Sequence, residues 1–365
     1  FVGWVRPQAV THRPARRAGQ GDVWRRPWWI RRCPADPPYK GIVMGEFELI
    51  RRFFASADCA QTASGVVQGI GDDCAVLALP PGEQLVISTD TLVVGVHFPE
   101  SADAFLLAQR GLAAAASDLA AMGATPLGFT LALTLPAADK QWLQGFADGL
   151  DVMAQACGLA LVGGDTTRGP LSMTFSVLGR VPSGQALKRS GARVGDLLCV
   201  GGELGDAAAA LPLVLGKTSA SAEIAGPLLA RYWTPQPQLR LGQALRGKAT
   251  AALDISDGLL ADCAHLANAS VVGLQINLSQ LPLSMAIRAM LGEQRALECA
   301  LTGGDDYLLV FTLPPGALAG LQADWPQVAV IGQVVCGTGV EVVDGAGQRV
   351  TPAHTGYQHF GSAHD

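Results

Sequence analysis

The sequence predicts an α/β protein with mixed sheets that is folded into two domains. Its 365 residues are enough for two ordinary domains, and 49% hydrophobic residues against 16% charged residues are enough for packed cores. Helical and extended patterns alternate in both halves of the chain, which a Pro-Ser-Gly turn at 182–184 separates. We therefore expect an N-terminal domain over 44–182 and a C-terminal domain over 183–365.

Residues 1–43 differ in character from the rest of the chain. They contain four of the seven tryptophans and nine Arg or Lys against two Asp, and they show no apolar period. We expect a disordered upstream extension or a mis-assigned start. An Arg-rich targeting segment is the alternative, although the Pro and Trp content does not suit a transit peptide.

Apolar periodicity predicts alternating elements in the first half. Two of the strands are expected to end where small or polar residues begin, at Thr89 and at Gly163. The predicted elements are a helix over 46–57, strands near 74–79 and over 85–88, a helix over 102–122, a strand over 128–135, a helix over 139–157, and strands over 159–162 and 171–181.

The second half repeats this style with fewer clear signals. A strand over 197–200 leads through Gly201 and Gly202 into an alanine-rich helix. A further helix is expected to open at 254–258 and to run to 268, and 308–313 is expected to be a strand.

Charge, hydropathy and cysteine spacing exclude several classes of protein. The net charge is −5 although residues 1–43 are basic, so the remainder is strongly acidic and no nucleic-acid partner is expected. No run of about 18 uninterrupted apolar residues is present, so no membrane helix is expected. The eight cysteines form no Cys-x-x-Cys pair, which indicates free thiols in a reducing, cytoplasmic setting.

Glycine-flanked or small-residue-flanked aspartates follow short apolar runs at five places, namely 69–73, 88–91, 162–168, 253–258 and 302–307. Clustered aspartates repel one another and lose hydration when buried, so a fold keeps them where cations compensate their charge. Mg²⁺ is typically held by one or two carboxylates together with substrate phosphates. Glycines let the backbone approach phosphate oxygens. The pattern therefore favours an enzyme that binds a nucleotide through several magnesium ions.

Each of these segments has a simpler alternative when it is taken alone. A Gly-Asp pair is often a surface turn, and Asp254 and Asp257 could cap the helix that follows them. Asp118 supports the metal hypothesis because an aspartate inside an alanine-rich apolar helix is costly without a partner. His97 could be a ligand contact or a packed histidine, and its spacing favours neither.

The usual nucleotide-binding signatures are missing. Residues 215–218 end like a P-loop, but that motif requires glycine at position 211, where this chain has Leu211. No Gly-x-Gly-x-x-Gly follows a predicted strand, and no Gly-x-Ser-x-Gly is present. Any nucleotide site must therefore be built from the aspartate segments.

Eight segments, in order along the chain from about Met44 to the C-terminus, resemble the thiamine-monophosphate kinase family. Single motifs also occur in aminoimidazole ribonucleotide synthetase, selenophosphate synthetase and the hydrogenase-maturation dehydratase, but the ordered set is specific. The segments are Gly-Glu-Phe-Glu-Leu-Ile (45–50), Gly-Ile-Gly-Asp-Asp-Cys-Ala (69–75), Ser-Thr-Asp-Thr-Leu-Val (88–93), His-Phe (97–98), Ser-Asp-Leu-Ala-Ala-Met-Gly-Ala (117–124), Gly-Gly-Asp-Thr-Thr-Arg-Gly (163–169), Asp-Ile-Ser-Asp-Gly-Leu (254–259) and Gly-Tyr-Gln-His-Phe (356–360).

The resemblance implies a two-domain fold like that of aminoimidazole ribonucleotide synthetase. It also implies a homodimer in which the N-terminal domains pair, with the ATP site near that interface. The implied reaction is the ATP-dependent phosphorylation of thiamine monophosphate to thiamine diphosphate with release of ADP. Direct transfer of this kind depends on positioning and on several Mg²⁺ ions, without a covalent catalytic residue.

Site residues follow from the resemblance position by position. The implied metal ligands are Asp73, Ser88, Thr89, Asp90, Asp118, Asp165, Asp254 and Asp257. Contacts with ATP are implied for Gly164, Asp165, Arg189 and Ser256, and contacts with the phosphorylated substrate for His97, Asp305 and Tyr357. Asp72 belongs to the Gly-Asp-Asp motif without a defined role.

Two features concern the substrate side. Tyr357 could stack on the cationic thiazolium ring, a contact worth roughly 0.5–2 kcal/mol. The family usually has Glu where this chain has Asp305 and where it has Leu308, so the carboxylate at 305 is one methylene shorter. The alternatives to a kinase are an ATP-dependent ligase or cyclase of the same superfamily and a non-catalytic nucleotide- or thiamine-binding regulator, which the complete aspartate set disfavours.

Overall fold

The structure is a computed structural model that describes residues 46–61 and 64–352. The predicted extension over 1–43 and the implied substrate contact Tyr357 lie outside these described residues. Within them, no helix is both long enough and apolar enough to cross a membrane.

The first half of the described chain forms short helical turns, a small hairpin and a helix-covered sheet. A π-helix over Ile50–Phe54 and a 3-10 helix over Asp58–Ala60 follow the first α-helical turn. The other elements are α1 (Glu46–Leu49), β1 (Val66–Gln68), β2 (Val76–Leu77), β3 (Glu83–Val93), α2 (Ala104–Ala121), β4 (Thr125–Leu135), α3 (Lys140–Cys157), β5 (Ala160–Arg168) and β6 (Ser172–Pro182).

The second half contains a larger sheet and its covering helices. Short 3-10 turns occur at Leu278–Gln280 and Pro315–Ala317. The elements are β7 (Leu197–Val200), α4 (Asp206–Val214), α5 (Ala222–Trp233), α6 (Leu239–Leu245), β8 (Ala251–Asp254), α7 (Leu259–Ser270), β9 (Gly273–Asn277), α8 (Met285–Thr302), β10 (Leu309–Leu313), α9 (Leu318–Asp324), β11 (Ala329–Val335), β12 (Gly339–Val343) and β13 (Arg349–Val350).

The strands form two mixed sheets, as the sequence predicts. The first has the order β3-β6-β4-β5, in which only β4 and β5 pair in parallel. The second has the order β13-β12-β9-β11-β7-β10-β8, in which only β12 and β9 are parallel. Leu309 and Phe311 of β10 pack into the core under the first sheet, whereas Val310 faces the core of the second half.

Helix α2 connects the two halves. It packs on β3 and β6 of the first sheet and also contacts β8, α5 and α6 of the second half. Most of its residues are buried alanines and leucines, but Gln109, Arg110 and Ser117 are buried with them. A buried arginine needs partners, because an unpaired charge in a core is costly. The second half supplies these partners, as described below.

Two strands are longer than the sequence predicts. β3 continues through Thr89 and Asp90 to Val93, and β5 continues through Gly164 to Arg168. Polar residues do not end these strands, because among the described residues one face of the first sheet has no covering helix and accepts threonines at alternate positions. The aspartates of both segments therefore lie inside strands rather than in loops beyond them.

Two predicted helix boundaries also differ from the structure. The expected helix over 46–57 is a single α-helical turn followed by a π-helix, so the amphipathic pattern was right and the helix type was wrong. The helix expected to open at 254–258 begins only at Leu259, with Gly258 at its N-cap and φ of 115°. Asp254 is the last residue of β8 and Asp257 lies in the connecting loop.

Candidate functional site

Three aspartates from three elements form an acidic cluster beneath α2. Asp90 comes from β3, Asp118 from α2 and Asp254 from the end of β8. Ser88 lies on the same face of β3 as Asp90, and its hydroxyl donates a hydrogen bond to Asp118 Oδ2. Thus the partner that the sequence demanded for Asp118 is the half-buried Ser88.

Burial and the nearby charge of Asp118 raise the pKa of two members of this cluster, Asp90 and Asp254. Desolvation, followed by the charge of Asp118, raises the pKa of Asp90 to about 6. The same two causes raise the pKa of Asp254 to about 7, against a hydrogen bond from Ser117 that lowers it. A cation bound among these oxygens would remove the repulsion and compensate the lost hydration.

The oxygen donors of the cluster fit magnesium better than a soft metal. Carboxylate and hydroxyl oxygens are the hard ligands that Mg²⁺ prefers, and no thiolate or imidazole is needed. Asp118 acts electrostatically on both Asp90 and Asp254, but within the described part of the chain the three carboxylates do not close into a metal-binding group by themselves. This arrangement suits Mg²⁺, which keeps waters and takes further oxygens from bound phosphates.

A second group of predicted residues surrounds a cavity of about 510 Å³. Asp72 and Asp73 line it from one side, and Gly164 and Asp165 line it from β5. The amide of Asp73 donates to Asp72 Oδ1 at 2.8 Å, and this hydrogen bond lowers the pKa of Asp72. The cavity therefore joins two of the glycine-aspartate segments that the sequence singled out.

Gly164 is the residue that makes this edge of the sheet geometrically special. Its φ is 156°, and a Cβ placed on it would lie 2.0 Å from the carbonyl oxygen of Leu131 on β4. Only glycine fits such a close approach of two strands without displacing one of them. Gly164 thus fixes where the exposed carboxylate of Asp165 projects.

The two groups are separated within one copy of the chain. Register places Asp90, Phe175, Leu131 and Gly164 in one row across the four strands, so Asp90 and Gly164 occupy opposite edges. Three strand spacings amount to about 14 Å. Asp165, one residue on, belongs to the other face of the sheet, as does Thr89, whose hydroxyl pairs with Ser176 at 2.9 Å. A single magnesium ion cannot bridge such a separation.

The loop between β8 and α7 carries Ser256, which is exposed, and Asp257, which is half-buried. One buried carboxylate holds this loop: Asp262 Oδ2 accepts hydrogen bonds from the amides of Ser256, Asp257 and Gly258 at 3.0, 3.1 and 3.2 Å. The sequence analysis did not identify Asp262. An acidic residue in the first turn of α7 was the available signal. Arg189 lies exposed at the other end of α7, where its carbonyl oxygen accepts a hydrogen bond from the hydroxyl of Ser270.

Replacing Asp262 by alanine should leave three buried or half-buried amides without an acceptor. We expect the free energy of unfolding to fall by about 2–4 kcal/mol and nucleotide affinity to weaken as the loop loosens. Chemical denaturation and calorimetric titration with Mg-ATP measure the two effects. Asn268→Ala, on the exposed side of the same helix, is the control and should change neither; equal behaviour of the two variants would contradict this role.

Two of the predicted substrate contacts, His97 and Asp305, lie within the described residues. The amide of Val93 donates to His97 Nδ1 at 3.0 Å, which leaves Nε2 as the protonated nitrogen of a neutral ring. Asp305 pairs with Arg110 Nη2 at 2.9 Å and accepts from the hydroxyl of Tyr307 at 3.0 Å. Arg110 and Tyr307 were not identified from sequence. The argument applied to Asp118, a charge in an apolar helix, applies equally to Arg110 and would have found it.

Comparisons with known proteins agree with this arrangement. The chain matches the AIR synthase related protein family, in its N-terminal domain over residues 71–181 and in its C-terminal domain over residues 193–345. A thiamine-monophosphate kinase of Salmonella typhimurium is 44% identical over 325 residues, which is 87% of this chain and 99% of that relative.

Solved structures give the same result. Thiamine-monophosphate kinase from Stenotrophomonas maltophilia is 43% identical with a TM-score of 0.74, covering 79% of this chain and 93% of that chain. AaThiL complexed with AMPPCP and TMP is 30% identical with a TM-score of 0.69, covering 78% of this chain and 89% of that one. The predicted fold and the predicted resemblance are confirmed, and the chain belongs to the thiamine-monophosphate kinase family.

Proposed function

We propose that this chain transfers the γ-phosphoryl group of ATP to thiamine monophosphate, forming thiamine diphosphate and ADP. Relatives with this activity in their names match nearly their full length, and one related structure is described with AMPPCP and TMP. The observation that carries the proposal is the cluster of Asp90, Asp118 and Asp254. The raised pKa values of Asp90 and Asp254 beside the charge of Asp118 support a site that cations complete.

The reaction needs little covalent chemistry from the protein. An oxygen of the acceptor phosphate attacks the γ-phosphorus, and the bond from that phosphorus to the β–γ bridging oxygen breaks, so ADP leaves with the electron pair. The acceptor is already an anion, so no strong general base is required. Positioning two anions against each other is the main task, and Mg²⁺ supplies the opposing charge when it is bound.

We assign the metal-holding role to the aspartates and the neighbouring hydroxyls of both groups. Asp90, Asp118, Asp254 and Ser88 would hold magnesium on the α2 side, with Asp257 on the adjacent loop. Asp73 and Asp165 would hold it on the cavity side, and Thr89 would offer its hydroxyl at the other edge of the sheet, on β3. Gly164 and Ser256 offer backbone and hydroxyl groups to the nucleotide, and Arg189 offers a cation to its phosphates.

On the acceptor side, His97 and Asp305 are the proposed contacts. His97 would contact the phosphate of the acceptor. The fixed carboxylate of Asp305 suits the positive thiazolium ring of the substrate, and Tyr357 would add an aromatic face. Asp305 retains the charge of the family's usual glutamate, and the long side chain of Arg110 reaches its shorter carboxylate.

A panel of acceptors tests the proposal. With saturating Mg-ATP, purified protein should convert thiamine monophosphate to thiamine diphosphate and should leave unphosphorylated thiamine unchanged. Product is separated by ion-pair chromatography and detected as its fluorescent thiochrome derivative. Absence of product from thiamine monophosphate, together with turnover of a different phosphorylated compound, would overturn the assignment.

We also propose a homodimer in which the uncovered face of the first sheet is the interface. That face exposes Leu85 to 43% and Ile87 to 59%, an apolar pair flanked by threonines. The separation of Asp90 from Asp165 within one copy supports the same proposal, because a second copy could supply the member of the metal set that one copy keeps out of reach. The nucleotide would then lie at the interface.

Complementation of inactive variants should reveal such a shared site. Co-expressed Asp90→Asn and Asp165→Asn chains should regain about a quarter of wild-type activity, because half of the dimers are mixed and each mixed dimer has one intact site. Co-expressed Asp90→Asn and Asp118→Asn chains are the matched control, since both changes fall in the same cluster and no intact site can form. Restoration no greater than in this control would show that each copy builds its site alone.

The state of the cysteines is the basis for the proposed cellular location. Within the described residues seven cysteines are unpaired, and Cys157, Cys199 and Cys263 are buried. Burial raises the pKa of Cys157 and of Cys199 to about 12, so these thiols are inert packing groups. This usage supports a reducing cytoplasmic location.

A further inference from the structure

Arg110 is a buried cation in the middle of α2, where it is only 2% exposed. Its Nη1 donates to the carbonyl oxygen of Tyr232 at 2.5 Å and its Nη2 pairs with Asp305, whereas its buried Nε has no hydrogen-bond partner. Burial, the largest single influence, disfavours the charge, but Asp305, Tyr307 and Tyr232 together outweigh it and raise the pKa of Arg110. Such a costly side chain, with one donor left unsatisfied, is retained for a purpose beyond helix packing.

Asp305, the partner of this arginine, has an unusual backbone conformation. Its φ is 69°, in the left-handed region that non-glycine residues rarely adopt, and Tyr307 two residues later has φ of 50°. Each carboxylate oxygen has one fixed donor, Arg110 for Oδ2 and the hydroxyl of Tyr307 for Oδ1. The carboxylate is thereby locked in direction while its side chain stays 38% exposed.

The same arginine is connected to His97 through Tyr232. The guanidinium lies 3.9 Å from the centroid of the Tyr232 ring, a cation–π contact. The hydroxyl of Tyr232 donates to the carbonyl oxygen of His97 at 3.2 Å. Arg110 therefore contacts, directly or through one side chain, both described residues of the proposed acceptor subsite.

We infer that Arg110 is the positioning residue of the acceptor subsite, fixing the Asp305 carboxylate directly and the His97 segment through Tyr232. The inference rests on the proposed roles of Asp305 and His97. Arg110 itself is nearly inaccessible, so it acts through these neighbours and not by touching the substrate.

The combined length of the two side chains explains how an aspartate at position 305 can pair with Arg110. Six bonds separate Cα from Nη in arginine and five separate Cα from Nζ in lysine. Aspartate spans three bonds to its carboxylate oxygen and glutamate spans four. An Arg–Asp pair and a Lys–Glu pair therefore bridge the same gap, whereas Lys–Asp is one bond short and Arg–Glu is one bond too long. The geometry thus makes Arg110 and Asp305 a length-matched pair.

Steady-state kinetics of four variants test this inference. Arg110→Lys and Asp305→Glu should each raise KM for thiamine monophosphate by about tenfold while KM for ATP stays within about twofold. The double variant Arg110→Lys/Asp305→Glu should recover most of the loss, because the pair length is restored. Tyr232→Phe, which removes only the hydroxyl that fixes His97, should raise the same KM by a smaller factor. Arg288→Gln, which breaks an exposed ion pair with Glu293, is the control and should change neither KM.

The outcomes separate the inference from the proposed function. If wild-type protein makes no thiamine diphosphate, the proposed function fails first. If wild-type protein is active and the single variants raise both KM values alike, or the double variant is no better than either single change, Arg110 only supports the fold and the inference is overturned. Melting temperatures of all variants identify a loss of folding, which the recovery in the double variant would exclude.

Discussion

Asp90→Asn should abolish turnover, with kcat reduced on the order of 10³-fold, while the metal-free protein remains at least as stable as the wild type. The two effects have one cause. The Asp90 carboxylate is desolvated beside the charge of Asp118, which raises its pKa to about 6 and makes its ionised form a cost to the metal-free fold. Asparagine removes that repulsion, but a neutral amide is a weaker magnesium ligand than a carboxylate.

Initial rates at saturating Mg²⁺ and thermal melts with EDTA measure the activity and the stability of this variant. Asp118→Asn should behave in the same way, because it removes the charge that acts on both Asp90 and Asp254. Asp139→Asn is the matched control: Asp139 caps α3 through the amide of Trp142, and asparagine caps equally well, so activity should not change. Near-wild-type turnover by either cluster variant would refute the assignment of the metal site.

Gly164→Ala should cost both stability and activity. The added Cβ would lie 2.0 Å from the carbonyl oxygen of Leu131, at a φ of 156° that favours glycine, so β5 must move away from β4. We expect the free energy of unfolding to fall by about 2–4 kcal/mol. Because Asp165 follows directly, we also expect nucleotide affinity to fall.

The adjacent glycine provides the comparison for this prediction. A Cβ on Gly163 would meet Thr130 Cγ2 at 3.7 Å, an ordinary contact, so Gly163→Ala should change the unfolding free energy by less than about 1 kcal/mol. Urea denaturation of both variants, followed by calorimetric titration with Mg-ATP, makes the comparison. Equal stability of the two variants would show that the strand pair is not as close as the structure has it.

Sequence reasoning succeeded where a residue type conflicts with its surroundings. Asp118 was identified because a charge inside an alanine-rich helix needs a partner, and Ser88 is that partner. The fold class and the order of elements followed from periodicity, which depends only on neighbours in the chain. The strand ends were missed at Thr89 and Gly163, because polar residues on an uncovered sheet face look like the start of a loop.

Other site features depend on contacts that no local pattern encodes. Asp305 has a left-handed backbone conformation, and its carboxylate pairs with Arg110, which lies 195 positions earlier in the chain. Neither feature leaves a pattern in the local sequence. Register, too, is a property of paired strands. It separates Asp90 from Asp165, two residues that the sequence placed in a single metal-binding set. The aspartate set was therefore predictable as a list, whereas its division into two groups was not.

Direct phosphoryl transfer assisted by these aspartates is the central claim, and isotope tracing tests it most directly. Protein incubated with thiamine monophosphate, Mg²⁺ and ATP labelled at the γ-phosphorus should place the label in the terminal phosphate of thiamine diphosphate, with one ADP formed for each product molecule. Label released as inorganic phosphate while thiamine diphosphate stays unlabelled, or AMP formed in place of ADP, would contradict it.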